Sequence, residues 1–284
     1  MSNILNGKSI ANEIKSEAMR RVNDLMKRGI VPCLAVISVG EDPASAIYVR
    51  NKRRACEEVG IVFKHIKLGA YVHEVEVIEK VNEFNNDDSI HAILVQLPLP
   101  MHIDENAVLD AILPEKDADG FHVINAGRLL TGRSCILPCT PCGCMEMLLR
   151  NNIQLVGKEA VVIGRSNIVG KPMALLLQAA NCTVTVCHSY TANLADHVKR
   201  ADIVVCAVGK PGLINGDMLK EGAVVLDVGI NRLEDGKIVG DVDFESASKV
   251  TSWISPVPGG VGAMTVAMLL LNTIILTEKM YLED

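Results

Sequence analysis

The chain has 284 residues, enough for one large domain or two medium ones with a substantial core. Hydrophobic residues make up 49% of it but aromatics only 3%, so that core must be built from Val, Ile, Leu, Ala and Met. A net charge of −6 argues against a nucleic-acid-binding surface, and the short run Lys52-Arg53-Arg54 does not alter that.

The first residues, Met1 to Gly7, lack the apolar core of a secretion signal. Nine cysteines without such a signal point to reduced thiols and a cytoplasmic protein. From residue 7 to 29 the spacing is helical, with Ile10, Ile14, Ala18, Val22, Leu25 and Met26 on one face. Residues 33–39 read as a buried strand, followed by the loop Gly40-Glu41-Asp42-Pro43 and a helix over 44–59. A strand at 61–68, a helix over 75–84 and a third strand at 91–96 follow, ending at Leu97-Pro98-Leu99-Pro100. Strand and helix alternating in this way predict a parallel sheet with right-handed crossovers.

Ligands of open α/β sheets gather at the carboxyl ends of the strands. Tyr48 and Lys52 are four apart and share one helix face, and Gln96 closes the third strand. Asp117 and Asp119 lie in the turn-prone acidic segment Lys116-Asp117-Ala118-Asp119-Gly120. A lysine in a partly apolar cleft loses proton affinity and can exchange protons near neutral pH, while a glutamine orients it without adding charge. Taken singly, the same residues also fit a solvated helix lysine and an aspartate that forms a turn.

Residues 116–135 read as the crossing between two domains. Cys135, Cys139, Cys142 and Cys144 then fall close together, which fits either a metal site or small residues at a helix start. Structural zinc sites usually split into two separated pairs, and Pro138 and Pro141 interrupt this run, which favours no metal, with Thr140 capping the helix and Pro141 at its first position.

The second half holds strands at 160–163, 182–187, 203–207, 224–228 and 250–254. Between the first two, Gly164-Arg165-Ser166-Asn167-Ile168-Val169-Gly170-Lys171-Pro172 reads as a glycine turn opening a helix. Such a turn presents free N–H groups to an anion, the phosphate end of a dinucleotide, although it also fits an ordinary strand–turn–helix corner. No carboxylate stands where an NAD-binding fold places one for the ribose, about 20 residues on. Arg165 with the hydroxyls of Ser166 and Ser189 suits a 2′-phosphate instead, favouring NADP over NAD. The competing assignment makes Arg165 a solvated residue and Ser189 a helix cap. The apolar run 264–276, interrupted by Thr265 and Asn272, reads as a buried terminal helix too short for a bilayer.

Several long motifs in order resemble the bifunctional methylenetetrahydrofolate dehydrogenase/methenyltetrahydrofolate cyclohydrolase family of the FolD type. They are Val39-Gly40-Glu41-Asp42-Pro43-Ala44-Ser45 leading to Tyr48-Val49-Arg50-Asn51-Lys52, then Val95-Gln96-Leu97-Pro98-Leu99-Pro100. Pro114-Glu115-Lys116-Asp117-Ala118-Asp119-Gly120, Ile124-Asn125-Ala126-Gly127-Arg128-Leu129, the 164–172 loop and Pro256-Val257-Pro258-Gly259-Gly260-Val261-Gly262 complete the match. The resemblance implies an α/β catalytic domain over 1–120 and a Rossmann-like NADP-binding domain with a parallel sheet over 121–263. It further implies an active-site cleft between them, with the helix 264–284 packing back on the first domain. It makes Lys52 the key residue of the cyclohydrolase step, with Tyr48 and Gln96 shaping its surroundings and Asp119 bonding the pterin. Gly164, Arg165, Ser166, Ser189 and Ile230 line the NADP site. A folate substrate, no metal, no membrane and a homodimer follow from the same likeness. One departure is Ala263, where the family commonly has proline, and this should loosen the start of the last helix. A shikimate-type dehydrogenase, which also pairs a lysine with an aspartate, is the nearest alternative chemistry; a metal-holding binding module built on the cysteine run is another.

Overall fold

The computed structural model describes residues 2–282 of the chain. In chain order its elements are β1 (Asn3–Ile4), α1 (Gly7–Met26), β2 (Cys33–Val39), α2 (Pro43–Val59), β3 (Val62–Leu68), α3 (Glu74–Asn85) and β4 (Ala92–Val95). Next come α4 (Glu105–Asp110), α5 (Val123–Leu130), α6 (Cys139–Arg150), β5 (Glu159–Ile163), α7 (Gly170–Ala179), β6 (Thr183–Cys187), α8 (Leu194–Arg200) and β7 (Ile203–Cys206). The chain closes with β8 (Val224–Asp227), β9 (Asn231–Arg232), β10 (Ile238–Val239), α9 (Phe244–Ala247), β11 (Trp253–Ile254) and α10 (Val261–Leu282).

Two compact units result: residues 13–137 with 266–282, and residues 2–12 with 138–265. The first unit is built on a parallel sheet in the order β3-β2-β4. All seven residues of β2 are buried, as expected of a central parallel strand covered on both faces. Ile14, Ala18, Val22 and Leu25 of α1 are buried as their spacing predicts, whereas Met26 is half-exposed where the helix ends. Arg21 of α1 grips Glu278 of α10 through two N–H groups, and Asn272 of α10 donates to the carbonyls of Ala118 (2.9 Å) and Leu137 (3.0 Å).

The segment read as a domain crossing is instead part of the first unit, which runs to Leu137 rather than ending at residue 120. The reason is local bonding. Ile93 N donates to Lys116 O and Ala118 N to Ile93 O, so residues 116–118 extend the sheet beside β4. Asp117, 2% exposed, then accepts from the backbone of Gly120 and His122 and from Asn125 Nδ2, tying down the start of α5. Lys116 is buried as well, donating to the carbonyls of Phe84, Asn85 and Asp87 at 2.8–3.1 Å where α3 runs out. Desolvation lowers its pKa, and the three carbonyls together with the nearby Asp88 and Asp87 carboxylates keep an ammonium tolerable there. Lys116→Met is expected to strand those acceptors and cost about 2–4 kcal/mol in denaturant unfolding, whereas a loss under 1 kcal/mol would contradict the capping role.

The second unit carries a six-stranded parallel sheet, β1-β11-β8-β7-β5-β6. Its last expected strand shrinks to Trp253–Ile254, because residues 250–252 close the turn after α9. Thr140 and Pro141 lie inside α6, which starts at Cys139 after Pro138, so Thr140 is not the cap; its hydroxyl meets that of Thr265 at 2.9 Å. At the start of α10 Ala263 N donates to Gly260 O at 3.2 Å, a bond that a proline could not make. α10 begins at Val261, three residues before the expected start at 264, and its apolar character extends beyond the run 264–276. Residues 261–281 are long and apolar enough to cross a membrane by composition, yet most of the span is buried, including Met264, Met268, Leu269, Leu270 and Ile274.

Candidate functional site

In the first unit Asp42 caps the start of α2, its carboxylate accepting from Ser45 N at 2.6 Å, with Pro43 supplying the preset φ of the first turn. From this start Tyr48 and Lys52 lie one turn apart. Lys52 is half-buried, and its Nζ donates to Gln96 Oε1 at 2.9 Å. Gln96 follows β4 directly, with its backbone N bonded to Ile37 O and its Nε2 to Leu97 O at 2.7 Å, ahead of a cis Pro98. Both ends of its amide are therefore committed, which fixes the oxygen toward Lys52. Tyr48 is 42% exposed and Asp119 is half-buried, two residues beyond the Asp117 hub. The structure thus joins Lys52 to Gln96 directly.

In the second unit the loops after β5, β6, β7 and β8 all leave the sheet at its carboxyl edge, since these four strands are parallel neighbours. Gly164 has φ +123, and a Cβ there would run into the carbonyl oxygen of Ala207. A Cβ on Gly170 would strike the carbonyl of Gly164. Only glycine fits either position, so the turn is wound tightly enough to bring bare backbone to a ligand. Ser166 Oγ accepts from the N–H groups of Val169 and Gly170 at the mouth of α7. Arg165 is exposed, with its guanidinium 5.7 Å from the Tyr190 ring centroid, and exposed Ser189 adjoins that tyrosine. Ser189 caps no helix; Asn193 is the residue before α8. A glycine cradle beside a cation and the hydroxyls of Ser166 and Ser189 fits a phosphorylated dinucleotide. Ile230 is 48% exposed after β8, and a Cβ on Gly262 would touch its Cδ1 at 3.4 Å.

Residues not foreseen from the sequence hold these loops. Asp241, fully buried, accepts from the backbone N–H of Val208, Gly209 and Lys210 and from Asn231 Nδ2. Asp227 accepts from the N–H of Gly229, Asp241 and Val242, and burial pushes its carboxyl up to about 6. Their neighbours Gly229 and Gly240 leave no room for a Cβ against these carboxylates, which was the readable signal: an acid beside a glycine at a strand end. Tyr190 was also missed, for lack of any spacing that pairs it with Arg165.

The cysteines are all free thiols. Burial pushes Cys142 up to about 11 and Cys144 higher still, which suits packing rather than thiolate chemistry. Among the described residues no group of three or more His, Cys, Asp or Glu could hold a metal ion.

Comparison with known proteins gives two family matches. Residues 5–119 match the tetrahydrofolate dehydrogenase/cyclohydrolase catalytic domain, and residues 138–281 match the corresponding NAD(P)-binding domain. The bifunctional protein FolD of Moorella thermoacetica is 58% identical over 271 residues, covering 95% of this chain and 97% of that protein. A crystal structure of the bifunctional FolD methylenetetrahydrofolate dehydrogenase/cyclohydrolase from Campylobacter jejuni superposes with a TM-score of 0.98 at 50% identity, over 99% of this chain and 100% of the other. The Trypanosoma brucei N5,N10-methylenetetrahydrofolate dehydrogenase-cyclohydrolase, solved with NADP cofactor and inhibitor, aligns at 40% identity with a TM-score of 0.95 over 98% of both chains.

Proposed function

The chain belongs to the tetrahydrofolate dehydrogenase/cyclohydrolase family, and we propose that Lys52 carries the proton transfers of its cyclohydrolase step. Its activities are the NADP-dependent oxidation of 5,10-methylenetetrahydrofolate to the 5,10-methenyl form and the hydrolysis of that product to 10-formyltetrahydrofolate. The observation that carries the assignment to Lys52 is its bond to Gln96, which aims the amine while adding no charge.

NADP, when bound, supplies the hydride acceptor that turns the methylene bridge into the methenyl cation. Gly164 and Gly170 bring backbone to its pyrophosphate, Arg165 with Ser166 and Ser189 takes the 2′-phosphate, and Ile230 packs on the cofactor. The protein's part in oxidation is to hold the folate still against the acceptor. Tyr48 flanks the pterin and Asp119 accepts hydrogen bonds from it. In hydrolysis a water adds to the methenyl carbon and its proton passes to the Lys52 amine. Cleavage of the carbon's bond to N5 then takes that proton back from Lys52, while the remaining hydroxyl proton leaves to solvent as the formyl carbonyl forms, giving 10-formyltetrahydrofolate and one released proton. Lys52 thus begins and ends in the same protonation state, as general acid–base catalysis requires. A homodimer in the cytoplasm completes the reading; sedimentation at the mass of a single chain would count against it.

Incubation of the protein with 5,10-methylenetetrahydrofolate and NADP tests the whole. NADPH should rise without accumulation of the methenyl chromophore. NADPH with accumulating methenyl would leave only the dehydrogenase, and no NADPH would remove the proposal. The cofactor assignment has its own test in Arg165→Ala. Losing a charge-assisted contact to the 2′-phosphate is expected to raise KM for NADP about 10–100-fold with the rate on NAD nearly unchanged. Equal losses with both cofactors would mean that Arg165 does not read the phosphate.

A further inference from the structure

A cavity of about 400 Å³ opens beside the carboxyl ends of β2 and β3, lined among others by Ser38, Arg50, Arg53, His65, Lys67 and Gln96. Its floor is a polar pair inside the sheet: Ser38, 9% exposed, meets His65 Nε2 at 2.9 Å through its hydroxyl. The acids at its rim are engaged, Glu41 by Lys67 at 2.9 Å and Asp42 by the backbone N–H of Ser45. Arg50 and Arg53 differ. Among the described residues neither pairs with a carboxylate, and the Arg53 guanidinium stands 5.3 Å from the Phe63 ring centroid. Two guanidiniums thus face a concave, partly apolar space with no counterion, where a cation–anion contact is worth more than on open surface. One wall of that space is Gln96, the residue that holds Lys52.

We propose that this cavity is a second anion site, taking a small phosphate or carboxylate dianion on Arg50 and Arg53 over the Ser38–His65 pair. Its occupant competes for the Gln96 amide, loosens the Lys52 contact and slows hydrolysis. The binding half stands on the cavity alone; the effect on hydrolysis rests on Lys52 acting as argued above. His65 is the local reporter. Burial first, then Arg53 and Lys67, hold its pKa below the usual histidine range. An anion beside it offsets the two cations, so binding should raise the His65 pKa and, by linkage, tighten as pH falls through it. The charged groups facing it are Arg50 and Arg53 from α2, Lys67 from β3, and Glu41 and Asp42 from the intervening loop, with Lys52 beyond Gln96.

The test follows the His65 imidazole by NMR in whole protein during titration with inorganic phosphate and, separately, with p-aminobenzoylglutamate, at ionic strength fixed with chloride. Saturable shifts with a raised His65 pKa are expected, weakened at least tenfold in the double variant Arg50→Ala/Arg53→Ala. A response to phosphate alone identifies a free dianion as the occupant, and a response to p-aminobenzoylglutamate alone identifies the carboxylate tail of the folate. No saturable shift with either, or the same affinity in the double variant, overturns the site. Cyclohydrolase rate is followed over the same titration. Inhibition should saturate with the shift and vanish in the double variant, and saturation without inhibition overturns the coupling. Should neither protein hydrolyse methenyltetrahydrofolate at all while His65 still responds, the assignment to Lys52 fails and the anion site stands.

Discussion

Lys52→Met is expected to abolish ring opening while leaving a folded protein that accumulates the methenyl chromophore. Methionine keeps the length and apolar stem of lysine and removes only Nζ, so packing along α2 changes little. The half-buried amine donates to Gln96 Oε1 at 2.9 Å, and losing that bond exposes a single acceptor to solvent at the edge of the sheet. Stability should therefore drop by about 1 kcal/mol. Chemistry should drop far more, because a positioned acid–base group contributes about 10²–10⁴-fold. Hydride transfer depends mainly on holding two carbons in contact, so NADPH formation should fall by a smaller factor. The split between the two activities is the informative readout. Normal hydrolysis in a folded variant would remove Lys52 from the mechanism, and equal loss of both activities would make it a binding residue instead.

The central strands were legible because they are nearly unbroken apolar runs bounded by turn residues. Residues 33–39 and 203–206 are buried along their whole length, and apolar runs this short between turn residues favour strand over helix. The glycine loop was legible for a similar reason, as a strand followed by a turn that only glycine can make. What stayed hidden was structure made by single polar contacts. α5 starts at His122, whose Nδ1 accepts from Ile124 N, and is held by Asp117; neither residue pattern announces a helix. β1 is two residues long and exists only because the amides of Asn3 and of Leu5, just after it, find the carbonyls of Ser252 and Ile254. The β9–β10 hairpin did carry a local signal in Asp235-Gly236, a favoured turn pair, but its strands are too short for alternation to show. At the site the same division holds. Lys52 and Gln96 are 44 positions apart, so spacing alone could suggest each but not that they bond. Asp227 and Asp241 were invisible as partners because most of their donors are backbone amides, which every sequence has.

Gly164→Ala is expected to cost about 2–5 kcal/mol in stability and about a hundredfold in NADP affinity. Two independent effects act on the same atom. The backbone at φ +123 is strained for any residue with a Cβ, and the added methyl also overlaps the Ala207 carbonyl. Neither can relax alone. Moving residue 164 disturbs its N–H bond to Cys187 O, and moving Ala207 disturbs its own N–H bond to Ile163 O. The carbonyl of Gly164 also lies where it blocks a Cβ on Gly170, so a shift here displaces the first turn of α7 and the glycine loop ahead of it that would meet the phosphates. Gly222→Ala is the control. That glycine also has positive φ, at +78, but a Cβ there meets nothing within 4 Å. It should lose about 1 kcal/mol to backbone strain with NADP binding intact. If Gly164→Ala behaved like Gly222→Ala, binding NADP as the parent protein does, the tight turn would be an ordinary corner of the sheet. Arg165 and Ser189 would then have to hold the cofactor without it.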